Sequence, residues 1–509
     1  MTVVDYLQRS AAMYPDKLAF IDEEHSITYQ ELYEKTCRLA TGFAQRLNTV
    51  CEPVAVIIDR NIESICAFLG IAKSRNFYVP IDVTQPKHRI LTIYDQMAPK
   101  AVVSINGNLS EELRNEISIP VLAYEELVQI EPDDSLLHHL EESSLDTDPL
   151  YAICTSGSTG VPKGVLISHR SVRDFIPVFV ETFGFSSEEI FGNQAPFDFD
   201  VSVKDIYSTI YLGATTYIIP RVCFSMPKKL MDVLDDQKIT TVIWAVSALC
   251  IAAGVNAFKY KVPGSLRNIL FSGEVMPIKM LNVWRKYLPE ATYVNLYGPT
   301  EITCNCLYYV IDREFGITEK LPLGAPFRNE EVLYLNDQNK PVQTGEIGEI
   351  CVLGTCLALG YYRNPEKTAQ AFVQNPLNDK YPELMYRTGD LAELREDGQY
   401  YFAARKDFQI KHMGHRIELE EIETFMNAVD GVTRASCLFD EVKNKIVACY
   451  TGSVDRKKIV ECLREDLPKY MIPNIFLQMD ELPINKNGKI DRQKLRGMYE
   501  ETESVSGGQ

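Results

Sequence analysis

Short apolar runs alternate with helical spans through most of the chain. The apolar runs stand at 54–58, 77–81, 101–105, 240–244, 268–271 and 292–295. Helical spans such as 61–73 and 277–287 lie between them. Strands that are apolar throughout, with a helix between one strand and the next, are typical of parallel sheets that are covered on both faces. The predicted fold class is therefore α/β, with layered and mostly parallel sheets.

The pattern changes after about residue 345. Short strands divided by turn residues such as Asp397-Gly398 predict a small β-rich subdomain at about 335–406. Beyond it, Ile422, Phe425 and Met426 recur at helical spacing, and 443–450 is typical of a strand. We therefore predict a large N-terminal domain at 1–406 and a small, mobile α+β domain at 407–509. The tail from Glu500 is predicted to be disordered.

Composition excludes several classes of protein. A chain of 509 residues is too long for one compact core, and its net charge of −18 argues against a nucleic-acid binder. No apolar run reaches the roughly 18 residues that cross a bilayer, so no membrane insertion is expected, and the N-terminus does not resemble a signal peptide. The 13 cysteines form no disulfide framework, which indicates reduced thiols. The expected location is the cytoplasm.

A loop rich in glycine and hydroxyl residues begins at Thr155, directly after the apolar run 150–154. Its sequence is Thr-Ser-Gly-Ser-Thr-Gly-Val-Pro-Lys-Gly, ending at Gly164. Glycines let backbone N–H groups approach an anion, and the hydroxyls add donors, so the loop suits a polyphosphate. It is not a Walker A loop, because no Gly-Lys-Ser/Thr ends the run. Alone, such a run is more often a surface linker.

Further motifs follow the loop in a fixed order. They are Tyr297-Gly-Pro-Thr-Glu301, Tyr386-Arg-Thr-Gly-Asp390 and Asn487-Gly-Lys-Ile-Asp-Arg492. Together with the loop, they resemble the core motifs of the adenylate-forming superfamily over nearly the whole chain. The chain is most similar to the amino-acid adenylation domains of nonribosomal peptide synthetases, and among these to stand-alone D-alanine–carrier-protein ligases. Asn193-Gln-Ala-Pro-Phe197, Phe271-Ser-Gly-Glu-Val275 and Asp407-Phe-Gln-Ile-Lys411 carry this narrower likeness.

The resemblance implies a ligase that uses ATP and Mg²⁺. It would activate an amino acid as aminoacyl-AMP, release pyrophosphate, and pass the aminoacyl group to the phosphopantetheine thiol of an acyl or peptidyl carrier protein that acts in trans. No enzyme nucleophile is needed, so no catalytic cysteine is assigned. The alternative within the same superfamily is an acyl- or aryl-acid–CoA ligase.

The resemblance also assigns roles around the nucleotide. Lys489 is expected to bridge the substrate carboxylate and the α-phosphate, and Thr300 and Glu301 to meet the α-phosphate and the magnesium ion. Asp390 would bind the ribose hydroxyls, Tyr297 would pack on adenine, and Arg405 would lie near the ribose and phosphates. The other expected nucleotide-binding residues are Thr155, Ser156, Gly157, Ser158, Thr159, Gly160, Lys163, Gly273, Glu274, Asn295 and Gly298.

Each of these residues also has a plain structural interpretation. Lys489 stands in a turn-like basic segment, Asp390 in a Thr-Gly-Asp run typical of a turn cap, and Tyr297 could be a core aromatic residue. Asp407 matches the hinge between the two domains. Family members usually carry glycine before the residue that matches Arg405, whereas this chain has Ala404, which fits only if its φ is negative.

Asp200 matches the residue that binds the substrate α-ammonium in amino-acid-activating members. A buried carboxylate needs a charged partner, and this residue separates an amino-acid ligase from an acyl- or aryl-CoA ligase. Its structural alternative is an aspartate that caps a loop. The other expected pocket positions are Val201, Lys204, Trp244, Leu270, Ser272, Leu296, Cys304 and Asn305.

The predicted pocket residues do not identify a single substrate. Trp244 is predicted to shrink the pocket, and Ser272 stands where the D-alanine ligases usually have cysteine. Lys204 either pairs with a polar or acidic substrate side chain, or it extends to the surface and leaves a small apolar pocket. The candidate substrates are therefore small, polar or acidic amino acids of the D-alanine, serine, aspartate and glutamate type.

Overall fold

The apolar runs that the sequence assigns to strands are strands in the structure, with ends displaced by a few residues. The structure is a computed structural model that describes residues 2–157, 161–484 and 490–506. The strands are β1 (Leu18–Ile21), β2 (Ser26–Thr28), β3 (Pro53–Ile58), β4 (Phe77–Asp82), β5 (Ala101–Ser104), β6 (Val121–Ala123), β7 (Pro149–Thr155), β8 (Lys163–Ser168), β9 (Ile190–Asn193), β10 (Thr215–Ile218), β11 (Thr241–Ala245), β12 (Asn268–Ser272), β13 (Thr292–Tyr297), β14 (Leu307–Val310), β15 (Ala325–Pro326), β16 (Glu330–Leu335), β17 (Ile347–Gly354), β18 (Gly360–Tyr361), β19 (Phe372–Gln374), β20 (Leu384–Leu394), β21 (Tyr400–Arg405), β22 (Gln409–His412), β23 (His415–Glu418), β24 (Val432–Asp440), β25 (Lys445–Gly452) and β26 (Ile475–Gln478).

Helices connect and cover these strands. They are α1 (Val4–Met13), α2 (Tyr29–Leu47), α3 (Ile62–Lys73), α4 (Lys87–Met97), α5 (Glu111–Glu116), α6 (Tyr124–Leu127), α7 (Asp134–Ser143), α8 (His169–Thr182), α9 (Val201–Leu212), α10 (Arg221–Ser225), α11 (Pro227–Asp236), α12 (Val246–Gly254), α13 (Ile278–Tyr287), α14 (Pro365–Ala371), α15 (Leu419–Asn427), α16 (Arg456–Asp466) and α17 (Arg492–Ser506). Short 3₁₀ turns cover Ala257–Lys259, Thr300–Ile302 and Lys469–Met471.

Contacts divide the chain into two units. The first consists of Met1–Val83, Met97–Cys154 and Gly164–Lys406, and the second of Thr84–Gln96, Thr155–Lys163 and Asp407–Gln509. The sequence analysis did not predict that the two short segments would group with the C-terminal residues. Among the described residues, no helix combines the length and apolar character that crossing a membrane requires.

Two large sheets form the first unit's framework. One has nine strands in the order β15-β14-β13-β12-β11-β9-β10-β1-β2, and the other has seven in the order β18-β8-β7-β4-β3-β5-β6. The neighbours β9 to β13 pair in parallel, as do β3 with β4 and β5. The predicted α/β class with mostly parallel sheets is thus confirmed.

A third sheet, with five strands, is antiparallel and corresponds to the predicted β-rich region. Its path is β16-β17-β20-β19, with β21 paired to β20. It starts at Glu330, slightly before the predicted 335. Strand β20 runs for 11 residues through Thr388, Gly389 and Asp390, so this run is strand rather than the turn that its sequence suggests.

The nine-stranded sheet separates two hydrophobic clusters. Ile243 of β11 and Leu270 of β12 belong to one cluster, whereas their neighbours Trp244 and Phe271 belong to the other. Ile243 pairs with Leu270, and Trp244 with Phe271. Because successive side chains of a strand point to opposite faces, each cluster covers one face of the sheet. This alternation decides which residues can share a pocket.

The second unit contains a hairpin, a three-stranded sheet and helices. Strands β22 and β23 are joined by Met413 and Gly414, whose φ angles of 53° and 82° are those of a tight hairpin turn. The sheet order is β24-β25-β26. Helix α17 continues to Ser506, so the prediction of a disordered tail from Glu500 is wrong over 500–506. Local i, i+4 bonding, such as that from Thr502 Oγ1 to the Met498 carbonyl at 2.6 Å, accompanies this helix.

Candidate active site

The predicted substrate and adenosine residues of the first unit collect near the carboxyl ends of β11, β12 and β13. These three strands are parallel neighbours. Ser272 ends β12, Tyr297 ends β13, and Gly273 and Gly298 follow them. In open parallel sheets, ligands bind beyond the carboxyl ends of the strands. The sheet therefore offers these residues the position at which a ligand site is expected.

Tyr297, Asp390 and Arg405 form one hydrogen-bonded group. The Tyr297 hydroxyl donates to Asp390 Oδ2 at 2.6 Å, and Arg405 Nη1 donates to Asp390 Oδ1 at 2.6 Å. Arg405 Nη2 also donates to the Thr388 carbonyl at 3.2 Å. Burial, followed by the nearby Asp390 charge, raises the pKa of Tyr297 well above its usual value, so the phenol keeps its proton. The residues predicted for adenine and ribose thus lie together, and each carboxylate oxygen of Asp390 retains further acceptor capacity.

Glu301 and Thr300 lie in the 3₁₀ turn after Pro299, and both are buried. The Tyr361 hydroxyl donates to Glu301 Oε1 at 2.8 Å, and the Glu301 carbonyl accepts from the Ala358 amide at 2.9 Å. The turn is thereby held against the segment that leads into β18. Tyr361 is not among the predicted site residues, because its spacing from Glu301 gives no signal in the sequence.

Asn295 and Gly298 each make a close contact with a neighbouring loop. Asn295 Nδ2 donates to the Pro322 carbonyl at 2.9 Å, so this amide supports a loop in the present structure. A Cβ atom at Gly298 would lie 2.5 Å from Asn305 Cα and 2.6 Å from the Cys304 carbonyl oxygen. Only glycine permits this approach, which sets Cys304 and Asn305 beside the end of β13. Gly273, by contrast, has open space around its Cβ position and a φ of 97°.

Asp200 directly precedes helix α9 and is buried. Its side chain makes no capping hydrogen bond to that helix. Its backbone carbonyl accepts a contact from Cys304 Sγ at 3.2 Å. Burial, followed by the Asp200 charge, raises the pKa of the Cys304 thiol far above its usual range. Cys304 is therefore a neutral thiol and a poor nucleophile.

Lys204 lies one turn further along α9 and is fully buried, with 0 % of its surface exposed. Its ammonium group donates to Asn305 Oδ1, and Asn305 is buried as well. The alternative in which Lys204 extends to the surface is therefore wrong. The structure thus brings Lys204 together with its hydrogen-bond partner Asn305. Asp200 and Cys304 lie close enough to act on Lys204 electrostatically.

Trp244 does not join the other predicted pocket residues. It belongs to the cluster on the opposite face of the sheet, where it packs edge-on against Phe224, and its indole N–H donates to the Gly192 carbonyl at 2.7 Å. Val201, Leu270, Leu296 and Cys304 belong to the first cluster. The prediction that Trp244 shrinks the pocket is wrong, because residue 244 faces away from Leu270. Ala245, which pairs with Ser272, takes the position on the pocket face.

Helix α9 also carries Asp205, which belongs to a buried polar group with Asn193 and Arg60. Asn193 Nδ2 donates to Asp205 Oδ2 at 2.7 Å, and Arg60 donates to Asn193 Oδ1 at 2.9 Å. Burial raises the pKa of Asp205 to about 7 and lowers that of Arg60 to about 10. Asp205 Oδ1 is buried without a hydrogen-bond partner among the described residues. The sequence analysis missed this group because nothing in the pattern separates Asp205 from a surface acid.

The described residues 155–157 and 161–163 of the predicted phosphate loop belong to the second unit. Ser156 Oγ donates to the Arg416 carbonyl at 2.7 Å, and Lys163 Nζ lies 3.7 Å from Glu418 Oε1. Thr155 ends β7, and a Cβ at Gly157 would lie 2.2 Å from the Val161 carbonyl oxygen. The predictions for Ser158, Thr159, Gly160 and Lys489 fall outside the described residues.

Of the remaining predicted positions, Asp407 and Ala404 lie at or near the start of the C-terminal segment of the second unit, and Glu274 lies in the first unit. Asp407 begins that C-terminal segment, and Asp407 Oδ1 accepts from the Gln409 amide at 3.2 Å. Ala404 pairs with Leu391 inside β21, in an extended conformation that alanine adopts freely. The missing glycine before Arg405 therefore creates no strain at this position. Glu274 follows Gly273 after β12 and is half-buried.

The comparison with family models decides the family. The model described as "AMP-binding enzyme" matches residues 7–362, which is more than half of the chain. The chain belongs to the AMP-binding enzyme family. The matched region includes the phosphate loop, Asp200 and Glu301, and it ends just after Tyr361. The predicted membership of the adenylate-forming superfamily is thereby confirmed.

Curated relatives of this AMP-binding protein include carrier-protein ligases and peptide synthetases. The D-alanine--D-alanyl carrier protein ligase of Lacticaseibacillus casei is 31% identical over 509 residues, which cover 97% of this chain and 98% of the relative. Tyrocidine synthase 1 of Brevibacillus parabrevis is 30% identical over 496 residues, covering 96% of this chain but only 44% of the relative. The chain thus spans less than half of that synthetase.

Among solved structures, IdnL1 is 27% identical and superimposes with a TM-score of 0.80, covering 95% of this chain and 97% of that one. A fused adenylation and carrier di-domain from Klebsiella oxytoca has the same TM-score at 23% identity, which supports the fold alone. Both agree with a large α/β domain followed by a small C-terminal domain.

The chemistry of Glu301 fits the magnesium ion that AMP-binding enzymes typically use with ATP. Carboxylate oxygens are ligands that Mg²⁺ prefers, and Tyr361 orients one oxygen of this buried carboxylate. When bound, the ion would neutralise phosphate charge.

Proposed function

We propose that this AMP-binding enzyme activates an amino acid as aminoacyl-AMP and transfers it to the phosphopantetheine thiol of a carrier protein. A substrate carboxylate oxygen would attack the α-phosphorus of ATP, and the bond to pyrophosphate would break. The thiol sulfur would then attack the acyl carbon, lose its proton, and release AMP. Each half-reaction conserves its atoms without a covalent enzyme intermediate.

The buried carboxylate of Asp200 carries the proposal. It does not cap helix α9, and it acts electrostatically on Lys204 and Cys304 within a mostly apolar wall. A carboxylate in such surroundings is stabilised by a positive group, which the α-ammonium of an amino acid supplies. A fatty or aryl acid has no such group. The relatives named as carrier-protein ligases and peptide synthetases support the same choice.

The nucleotide half of the proposal rests on the group formed by Tyr297, Asp390 and Arg405. Asp390 is a fixed acceptor for ribose hydroxyls, with Tyr297 and Arg405 setting its orientation. Lys489, outside the described residues, remains the proposed cation at the substrate carboxylate and α-phosphate. Preorganised positive charge at this place would stabilise the transition state of adenylation.

Exchange of pyrophosphate into ATP tests adenylation. The full chain is assayed with D- and L-amino acids, fatty acids and aryl acids, and then for thioester formation with coenzyme A and with a phosphopantetheine-loaded D-alanyl carrier protein. We expect exchange with an amino acid and acyl transfer to the carrier thiol. Exchange only with acids that lack an amino group, followed by transfer to coenzyme A, would instead establish the acyl- or aryl-CoA ligase.

The variant Asp200→Asn isolates the ammonium contact. Loss of one partner of a buried charge pair costs about 2–5 kcal/mol, so kcat/KM for the amino acid should fall at least about 30-fold while KM for ATP stays unchanged. Asp379→Asn, at an exposed carboxylate, is the matched control. Equal activity of the two variants would reject the role of Asp200.

A further inference from the structure

Lys204 is an unusual residue for the wall of an amino-acid pocket. Its side chain is completely buried in the first turns of α9, and its ammonium group donates to the buried Asn305 amide oxygen. The other predicted residues on this side, Val201, Leu270, Leu296 and Cys304, are apolar or neutral. A buried ammonium costs free energy unless it is paired, so Lys204 requires a reason other than packing.

The charges near Lys204 are Asp200 and Asp205. Both act on it electrostatically, while burial lowers its pKa. Asp205, however, bonds to Asn193, and burial raises the pKa of this carboxyl to about 7, so it is a weak counter-charge near neutral pH. Asp200 is then the main permanent negative charge that balances Lys204 in the free protein.

Binding of an amino acid changes this balance. Once the α-ammonium pairs with Asp200, a substrate with a neutral side chain leaves the Lys204 charge without its counter-charge in a buried site. A substrate with a carboxylate side chain supplies that counter-charge. Apart from the reacting α-carboxylate, the α-ammonium and Lys204 then face two carboxylates, those of Asp200 and of the substrate side chain. The Asn305 amide, which accepts from Lys204, also carries two N–H donors that suit a carboxylate oxygen.

We propose that the substrate is an amino acid with an acidic side chain, whose carboxylate pairs with Lys204 and is oriented by Asn305. This proposal rests on the proposed amino-acid adenylation and names the substrate class of that site. Ala245 and Ser272 share the face of Leu270, and their side chains are small. Lys204 and Asn305 are the specificity-determining residues.

Matched acid and amide substrates test the proposal without any variant. Pyrophosphate exchange is measured with D- and L-forms of aspartate against asparagine and glutamate against glutamine, with alanine and serine as small substrates. We expect kcat/KM for one acid to exceed that for its amide at least about 30-fold, as loss of a buried charge pair predicts. Preference for a neutral amino acid would overturn this inference and leave amino-acid adenylation standing. Exchange only with acids lacking an amino group would overturn both.

The variant Lys204→Met tests the residue itself. It keeps the length of the side chain and removes the charge. The variant should therefore no longer activate the acidic amino acid and should activate a neutral one, with KM for ATP unchanged. Its thermal midpoint should fall, because the variant leaves the buried Asp200 charge without its counter-charge. The comparison therefore uses the ratio of kcat/KM for the acid to kcat/KM for its amide, measured below that midpoint. The exposed Lys340→Met serves as the control. Retention of the acid-to-amide ratio in Lys204→Met would overturn the proposal.

Discussion

The Tyr297 hydroxyl donates a hydrogen bond to Asp390 Oδ2 at 2.6 Å, although 93 residues separate the two in the chain. Tyr297 ends strand β13 of the nine-stranded sheet, and Asp390 lies within β20 of the antiparallel sheet. The contact joins the residue proposed for adenine to the residue proposed for ribose. It also shows why the two motifs are needed together, since each positions the other.

Removal of this hydroxyl should weaken ATP binding. In Tyr297→Phe, Asp390 loses a donor to a charged acceptor, a contact that contributes about 1.5–3 kcal/mol. We expect KM for ATP in the exchange reaction to rise about tenfold, with kcat nearly unchanged. Tyr293→Phe, in the same strand but bonded to the Leu288 carbonyl at 2.9 Å, is the control for loss of a buried hydroxyl. A rise in KM of equal size in both variants would contradict the prediction.

The stability of the protein should also depend on the ion pair between Asp390 and Arg405. Asp390 is 1% exposed and Arg405 is 10% exposed by side chain, so their 2.6 Å ion pair is shielded from water. Among the described residues, Arg405→Met would leave this buried carboxylate with the Tyr297 hydroxyl as its side-chain donor. The variant should therefore lower the free energy of unfolding by about 3–5 kcal/mol. Urea unfolding measures this loss.

The double variant Arg405→Met with Asp390→Asn is the control for that interpretation. It removes the cation and the charge together, so much of the lost stability should return. If the double variant is as unstable as Arg405→Met alone, the loss would come from packing of the arginine stem and not from the unpaired charge.

Much of the framework could be predicted because buried parallel strands carry a simple pattern. The run at 54–58 is apolar throughout, and the run at 268–271 is apolar after Asn268; they form β3 and β12. Asn61 caps α3 by accepting from the Ser64 amide at 3.0 Å. Such elements are specified locally. The strand through Asp390 is harder to predict, because Thr-Gly-Asp favours a turn. Pairing with β17 and β21 keeps this run extended.

The site itself was predicted by motif, and the errors have physical causes. Trp244 was assigned to the pocket by matching positions, although the period of two in β11 puts it on the face opposite Leu270. The burial of Lys204 could not be read from the sequence, because long basic side chains usually reach the surface. Its partner Asn305 is 101 residues away, and the tight approach at Gly298 brings the two segments together.

Gly298 should therefore be intolerant of even one methyl group. In Gly298→Ala, the new Cβ would meet backbone atoms of Cys304 and Asn305 at 2.6 Å or less, and backbone cannot rotate away as a flexible side chain can. We expect a loss of about 1–3 kcal/mol in stability and a raised KM for the amino acid, since Asn305 would be displaced. Gly254→Ala, where no atom lies within 4 Å, is the control and should not destabilise the protein.

His169 should make the protein sensitive to acid. It begins helix α8, is buried, and its Nδ1 accepts from the Val3 amide at 3.4 Å. Burial lowers its pKa from 6.5 to about 4; the nearby Asp148 opposes this effect and Arg173 adds to it. Above pH 6.5 the ring is neutral in both the folded and unfolded states. Between pH 6.5 and 4 only the unfolded state takes up the proton, so stability falls as the pH drops, by about 3 kcal/mol in total.

The variant His169→Asn keeps an acceptor for Val3 and removes this titration. Its free energy of unfolding in urea should be lower than that of the wild type at pH 7.5, because a buried ring is lost, but the gap should shrink by about 2–3 kcal/mol at pH 4.5. His138→Asn, at an exposed histidine of α7, should follow the wild type at each pH. A gap between His169→Asn and the wild type that stays constant with pH would mean that the buried ring takes up its proton as readily as an exposed one.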